Sequence, residues 1–124
     1  MKLNILILED DPSRQSIFHK KLKEHRLTIT NVALEAIALL QTETFDVAYL
    51  DHDLNGPFSD ITGVDNPTGA AVAHWISNNK DSSPEAIFLH AHDGAGVEDM
   101  SRVLPNAIRA PFPECITKYK LKIK

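Results

Sequence analysis

Three short apolar runs in this chain each end in a knot of acids or histidines. Leu3-Asn4-Ile5-Leu6-Ile7-Leu8 runs into Glu9-Asp10-Asp11, Asp46-Val47-Ala48-Tyr49-Leu50 into Asp51-His52-Asp53, and Glu85 to Leu89 into His90-Ala91-His92-Asp93. A nearly unbroken apolar run of this length marks a strand buried on both faces, the habit of parallel sheets. The segments between the runs carry helical patterns. The chain is therefore expected to be α/β: a single-domain open parallel sheet of about five strands with helices on both faces. In such folds ligands sit beyond the carboxyl ends of the strands. All three ionisable knots would then gather on one rim. Caps and polar loop starts account for any one of them; three in the same structural place point to a site.

The remaining elements follow from local signals. Pro12 suits the first turn of a helix capped by Asp10 or Asp11, with Ile17, Phe18 and Leu22 as its apolar stripe. Leu27 to Thr30 alternates as a short second strand. Asn31 is placed to cap a helix with Leu34, Ile37, Ala38 and Leu40 inward. Asn55 to Pro67 reads as a long loop, in which Pro57-Phe58 could cover the site as a lid. Thr68 to Asn78 reads as a helix with Val72, Trp75 and Ile76 inward, the segment around Val97 to Leu104 as another, and Ala107-Ile108 as a fifth strand. The domain is expected to span 1–124, with its core at about 3–112 and a C-terminal extension at 113–124. Lys118-Tyr119-Lys120-Leu121-Lys122-Ile123-Lys124 alternates with period two, so an extra edge strand is expected to replace a last helix, and to offer a route to self-association.

Composition narrows the function. Lys and Arg number 13 against 17 Asp and Glu, a net charge of -4. No Lys or Arg occurs between Leu27 and Asn79, a stretch that holds seven acids. Groove binding to duplex DNA by phosphate neutralisation is not expected of such a surface. A phosphate handled there calls for a cation as intermediary. No apolar run approaches the roughly 20 residues of a membrane helix, and Cys115 has no partner for a disulfide. A cytoplasmic setting without membrane contact is the expectation.

The run ending in Glu9-Asp10-Asp11-Pro12 and the run ending in Asp51 resemble the first and third strands of a response-regulator receiver, with its acidic pair and phosphoacceptor Asp. The resemblance covers roughly residues 3 to 112. Two positions depart from it: His90 stands where receivers carry Ser or Thr, and Ala110 precedes Pro111 where they carry Lys. A narrower likeness accounts for this. Leu50-Asp51-His52-Asp53-Leu54, Pro67-Thr68-Gly69, Trp75-Ile76 and a His after the fourth strand resemble the cyclic-phosphate processing receiver family. Members commonly follow that His with Ser-Ala-Asn, whereas this chain has Ala91-His92-Asp93. The resemblance implies a receiver-like fold and a phosphoesterase-like activity.

The residues at the rim have the chemistry for it. Glu9, Asp10 and Asp51 are the expected ligands of Mg²⁺ or Mn²⁺, which prefer oxygen donors. His52 and His90 are the expected acid–base pair, with Asp51 as ligand or nucleophile. Asp53, Thr68, Gly69 and His92 are expected to bind substrate, Thr68-Gly69 by opening a helix whose N–H groups face the rim. Zinc through His90 and His92 stays open. His19, His25 and His74 fall in helical segments and read as surface or packing residues. The expected partner is a small phosphorylated molecule, a nucleotide or an RNA end. The rival is a divergent receiver or pseudo-receiver that signals by binding, with or without phosphorylation of Asp51.

Overall fold

The computed structural model describes residues 2–51, 68–90 and 95–117. Five parallel strands, β1 (Asn4–Leu8), β2 (Arg26–Thr30), β3 (Val47–Leu50), β4 (Ala86–Leu89) and β5 (Ile108–Arg109), form one sheet in the order β2-β1-β3-β4-β5. The helices between and after them are α1 (Pro12–Lys21), α2 (Ala33–Thr42), α3 (Gly69–Asn78), α4 (Ala95–Val103) and a single turn, α5 (Glu114–Thr117). A short 3-10 turn at Lys80–Ser82, which the sequence pattern did not announce, links α3 to β4. No described helix is long and apolar enough to cross a membrane.

The two faces of the sheet are sorted by side-chain alternation. Leu6, Leu8, Ala48, Leu50, Ile87 and Leu89 join Ala36 and Leu40 of α2, Val72 and Ile76 of α3, and Met100 of α4 in one cluster. Ile5, Ile7, Val47, Tyr49 and Phe88 join Phe18 of α1 and Cys115 of α5 in the other. Both faces of β1, β3 and β4 are thus apolar, which is why their sequences read as continuous runs.

Helix faces differ from the sequence reading in three places. Of the two caps expected for α1, Asp11 is the one that serves, its carboxylate accepting Ser13 N–H at 2.9 Å. Phe18 and Leu22 are buried as expected, but Ile17 points outward at 38% exposure. In α2 Leu40 is buried and Ile37 packs against the core as expected, but Leu34 and Ala38 do not. Asn31 does not cap it; Thr30, buried at the end of β2, accepts Val32 N–H at 3.1 Å and turns the chain into the helix. Ala33, Ala36 and Leu40 therefore face the sheet, while Leu34 is 61% exposed and Ala38 lies outside. Small side chains let a helix lie close on a sheet, an advantage that hydrophobicity alone does not register. In α3, Ala73 is fully buried beside Val72 and Ile76, with Trp75 only partly so. The period-two segment at 118–124 lies outside the described residues; just before it, the chain is helical at Glu114–Thr117.

Candidate active site at the carboxyl rim

Strand register decides what meets at the rim. Leu8 pairs with Leu50 and Leu50 with Leu89. One residue further, the ladder still holds: Asp51 N–H donates to Leu8 C=O at 3.2 Å, and His90 N–H to Leu50 C=O at 3.1 Å. Glu9, Asp51 and His90 therefore stand side by side across β1, β3 and β4. By alternation they turn to the face of Ile7, Tyr49 and Phe88, opposite to Leu8, Leu50 and Leu89. On β5 the same row continues to Ala110, whose N–H donates to Leu89 C=O at 3.0 Å. This is also where β1 and β3 send the chain to opposite faces of the sheet, the crevice that the topology opens for a ligand.

The three side chains bring one donor atom each to within 4.8 Å of one another, and all three are buried. His90 Nε2 lies 3.1 Å from Glu9 Oε1. Glu9 Oε2 accepts Asp11 N–H at 3.1 Å, and Gln15 Nε2 donates to the Glu9 carbonyl. Burial opposes the charge on Glu9, but the bond to His90, the Asp11 N–H and the nearby charges of His90 and Arg14 outweigh it and hold the carboxyl below its ordinary range. Asp51 lacks such support. Burial pushes its carboxyl up to about 6, with the His90 charge opposing and Glu9 and Asp10 adding to the rise. Two buried carboxylates this close hold more negative charge than their surroundings solvate. Their oxygens and an imidazole nitrogen form a donor set that suits a divalent cation.

His90 is fixed on every side but one. Its carbonyl accepts Phe112 N–H at 3.2 Å, and its ring meets Phe18 edge-on at 5.5 Å. Nδ1 is buried and has no partner among the described residues.

The structure places the expected residues as follows. Glu9, Asp51 and His90 come together. Asp10 is half-buried on the adjoining rim, outside the close donor group, and its charge reaches Asp51. Thr68 caps α3, its hydroxyl accepting Ala70 N–H at 3.1 Å, with Gly69 buried behind it. His52, Asp53, Pro57, Phe58, His92 and Asp93 lie outside the described residues. His19 and His74 are exposed helix residues. His25 is not helical; it sits in the turn before β2, and its Nδ1 accepts Leu3 N–H at 3.1 Å. Sequence reasoning passed over Arg14, whose guanidinium approaches Glu9 Oε1 at 3.8 Å. The available signal was its place in the first turn of the helix that leaves the rim.

Comparison with known proteins agrees with the fold. No curated protein sequence matches the chain. Among solved structures it is similar to the response regulator TrrA from Thermotoga maritima in complex with Mg²⁺-BeF, at 21% identity over 91% of this chain and 90% of that one, with a TM-score of 0.67. It is similar to the Mn²⁺-bound form of the response regulator Rcp1, at 21% identity over 87% of this chain and 80% of that one, TM-score 0.67. The Vibrio cholerae chemotaxis protein CheY4 matches at 16% identity over 91% of this chain and 88% of that one, TM-score 0.68. These likenesses show the receiver fold. The sequence profile of the cyclic-phosphate processing receiver domain matches residues 5–106. That match spans most of the chain, and the chain belongs to the cyclic-phosphate processing receiver domain family.

Proposed function

We propose that the protein is a metal-assisted phosphoesterase that opens a cyclic phosphate on a nucleotide or an RNA end. The observation that supports this most is the buried row Glu9–Asp51–His90, in which a histidine stands directly beside two carboxylates at the ends of adjacent strands. Glu9 and Asp51, with Asp10 beside them, would hold Mg²⁺ or Mn²⁺, the ions bound in the structures of the similar response regulators TrrA and Rcp1. When bound, such an ion supplies polarisation of a phosphoryl oxygen. Glu9 holds the His90 ring through Nε2, which leaves Nδ1 as the ring atom that can hold or move a proton. His52, next in the chain to Asp51, is the proposed partner in acid–base transfer. Asp53, Thr68, Gly69 and His92 are proposed to position the substrate, and a cytoplasmic setting suits such a substrate.

The test is a panel of 2′,3′- and 3′,5′-cyclic phosphates incubated with Mg²⁺, Mn²⁺ or EDTA and followed by phosphorus NMR. Turnover of one class, abolished in His52→Ala and Asp51→Asn, is expected. Wild-type rates in both variants would overturn the assignment. The fold shared with response regulators favours a second reading, a binding module phosphorylated on Asp51. Ala110 weighs against it, because the row has only a methyl group where that chemistry would use a cation. Stoichiometric phosphate uptake from acetyl phosphate, lost in Asp51→Asn, would restore that reading.

A further inference from the structure

The buried row ends on a nitrogen. Glu9 and Asp51 bring carboxylate oxygens, His90 brings an imidazole, and one donor atom of each lies within 4.8 Å of the other two. This mixture separates the divalent cations. Mg²⁺ takes oxygen ligands and keeps several of its waters, so a buried imidazole offers it little. Zn²⁺ and Fe²⁺ accept imidazole and carboxylate together, and Co²⁺ stands between them in the affinity series, with Mn²⁺ at its weak end.

The imidazole is held in place by the fold, without help from an ion. The His90 carbonyl accepts Phe112 N–H at 3.2 Å, and Phe18 meets the ring edge-on at 5.5 Å. Asp11 N–H ties down Glu9 Oε2 at 3.1 Å, which leaves Oε1 to face the ring. His90 Nε2 and Glu9 Oε1 are then 3.1 Å apart. Two donors bound at right angles to one ion, with bonds of about 2.1 Å, stand about 3 Å from each other. The pair that shares a proton in the metal-free protein is thus already spaced as neighbouring ligands.

We propose that His90 Nε2 is a metal ligand alongside Glu9 and Asp51, and that the row is built for a first-row transition ion rather than for Mg²⁺. Nδ1 stays off the ion and keeps the proton-holding part given to it above. That the ion serves a phosphoester rests on the phosphoesterase reading; the ligand set and the choice of ion do not.

The experiment titrates Co²⁺ into the full chain, with Mg²⁺ as competitor, and reads visible absorption and the hyperfine-shifted proton spectrum. The wild type is expected to bind Co²⁺ at least roughly 100-fold more tightly than Mg²⁺ and to show a shifted, exchangeable imidazole N–H. His90→Gln, whose amide can still meet Glu9, is expected to lose that resonance and at least about tenfold of the preference. Similar affinities for the two ions in the wild type, or a shifted imidazole that persists in His90→Gln, would overturn the proposal. Should the variant fail to fold, the wild type decides: a nuclear Overhauser effect between the shifted ring and Phe18 identifies His90, and its absence removes His90 from the ligand set. Co²⁺ held through His90 without turnover of any cyclic phosphate would support the site and sink the phosphoesterase reading. Turnover with Mg²⁺ alone, and no imidazole on Co²⁺, would do the reverse.

Discussion

His90 Nε2 and Glu9 Oε1 stand 3.1 Å apart, both side chains wholly buried, although 81 residues separate them in sequence. Glu9 keeps one further bond, from Asp11 N–H, while His90 Nδ1 has no partner among the described residues. Each is the condition for the other's burial.

Breaking that pair should therefore cost more than a surface contact would. His90→Ala strands the Glu9 carboxylate in the interior, and removing one partner of a buried pair typically costs about 3–5 kcal/mol. Urea unfolding at pH 7.5 should show a loss of at least about 2 kcal/mol. A change under about 0.5 kcal/mol would mean that the pair does not hold the folded rim.

Asp51 gives the metal-free protein an unusual pH dependence. Its carboxyl keeps its proton up to about pH 6 when folded, against 3.8 in an ordinary setting. Between those values the folded state binds the extra proton, so this group's contribution falls as pH rises through the window. The loss above pH 6 is on the order of 2 kcal/mol. Glu9, held below its ordinary range, contributes in the opposite sense at lower pH. Asp51→Asn should consequently be more stable than the metal-free wild type at pH 7.5, with the advantage gone near pH 4. Equal thermal midpoints at pH 7.5 would contradict this.

Cation binding must displace the same proton. Affinity for Mn²⁺, measured by titration at pH 5.0 and 7.5, should rise about tenfold across the interval as the Asp51 proton ceases to compete. Asp51→Asn should bind weakly and without that slope. A flat wild-type profile would remove Asp51 from the ligand set.

Leu34, in the helix that packs on the other face of the sheet, supplies a further test. Placed inward by its hydrophobicity, it would cost about 2–5 kcal/mol when replaced by Ala. At 61% exposure, Leu34→Ala should change unfolding free energy by less than about 0.5 kcal/mol. Ala36→Leu, forced against the sheet, should be the damaging substitution instead.

That contrast shows where the sequence was legible. The strands β1, β3 and β4 could be read because burial on both faces demands unbroken apolar runs, and the rim could be read because polar residues follow each run at once. The faces of α1 and α2 were less legible. Leu34 and Ile17 outrank Ala33 and Ala36 on any hydrophobicity scale, yet closeness to the sheet favours the smaller residues. The displaced start of α2 depends on a hydroxyl bond from Thr30, which competes with Asn31 for the same turn. At the site, the knots put Glu9, Asp51 and His90 on one rim but did not say which of them touch. Pairing Glu9 with His90 needs the register of β1 on β3 and of β3 on β4, a property of three strands together.

The register makes the site intolerant of insertions and deletions within the strands. Each reactive group follows its strand's last paired leucine by one residue, so adding or deleting a single residue inside β1, β3 or β4 would swing that group to the opposite face of the sheet. The loops between these strands can change length without that effect, whereas the spacing within the strands is what keeps Glu9, Asp51 and His90 together.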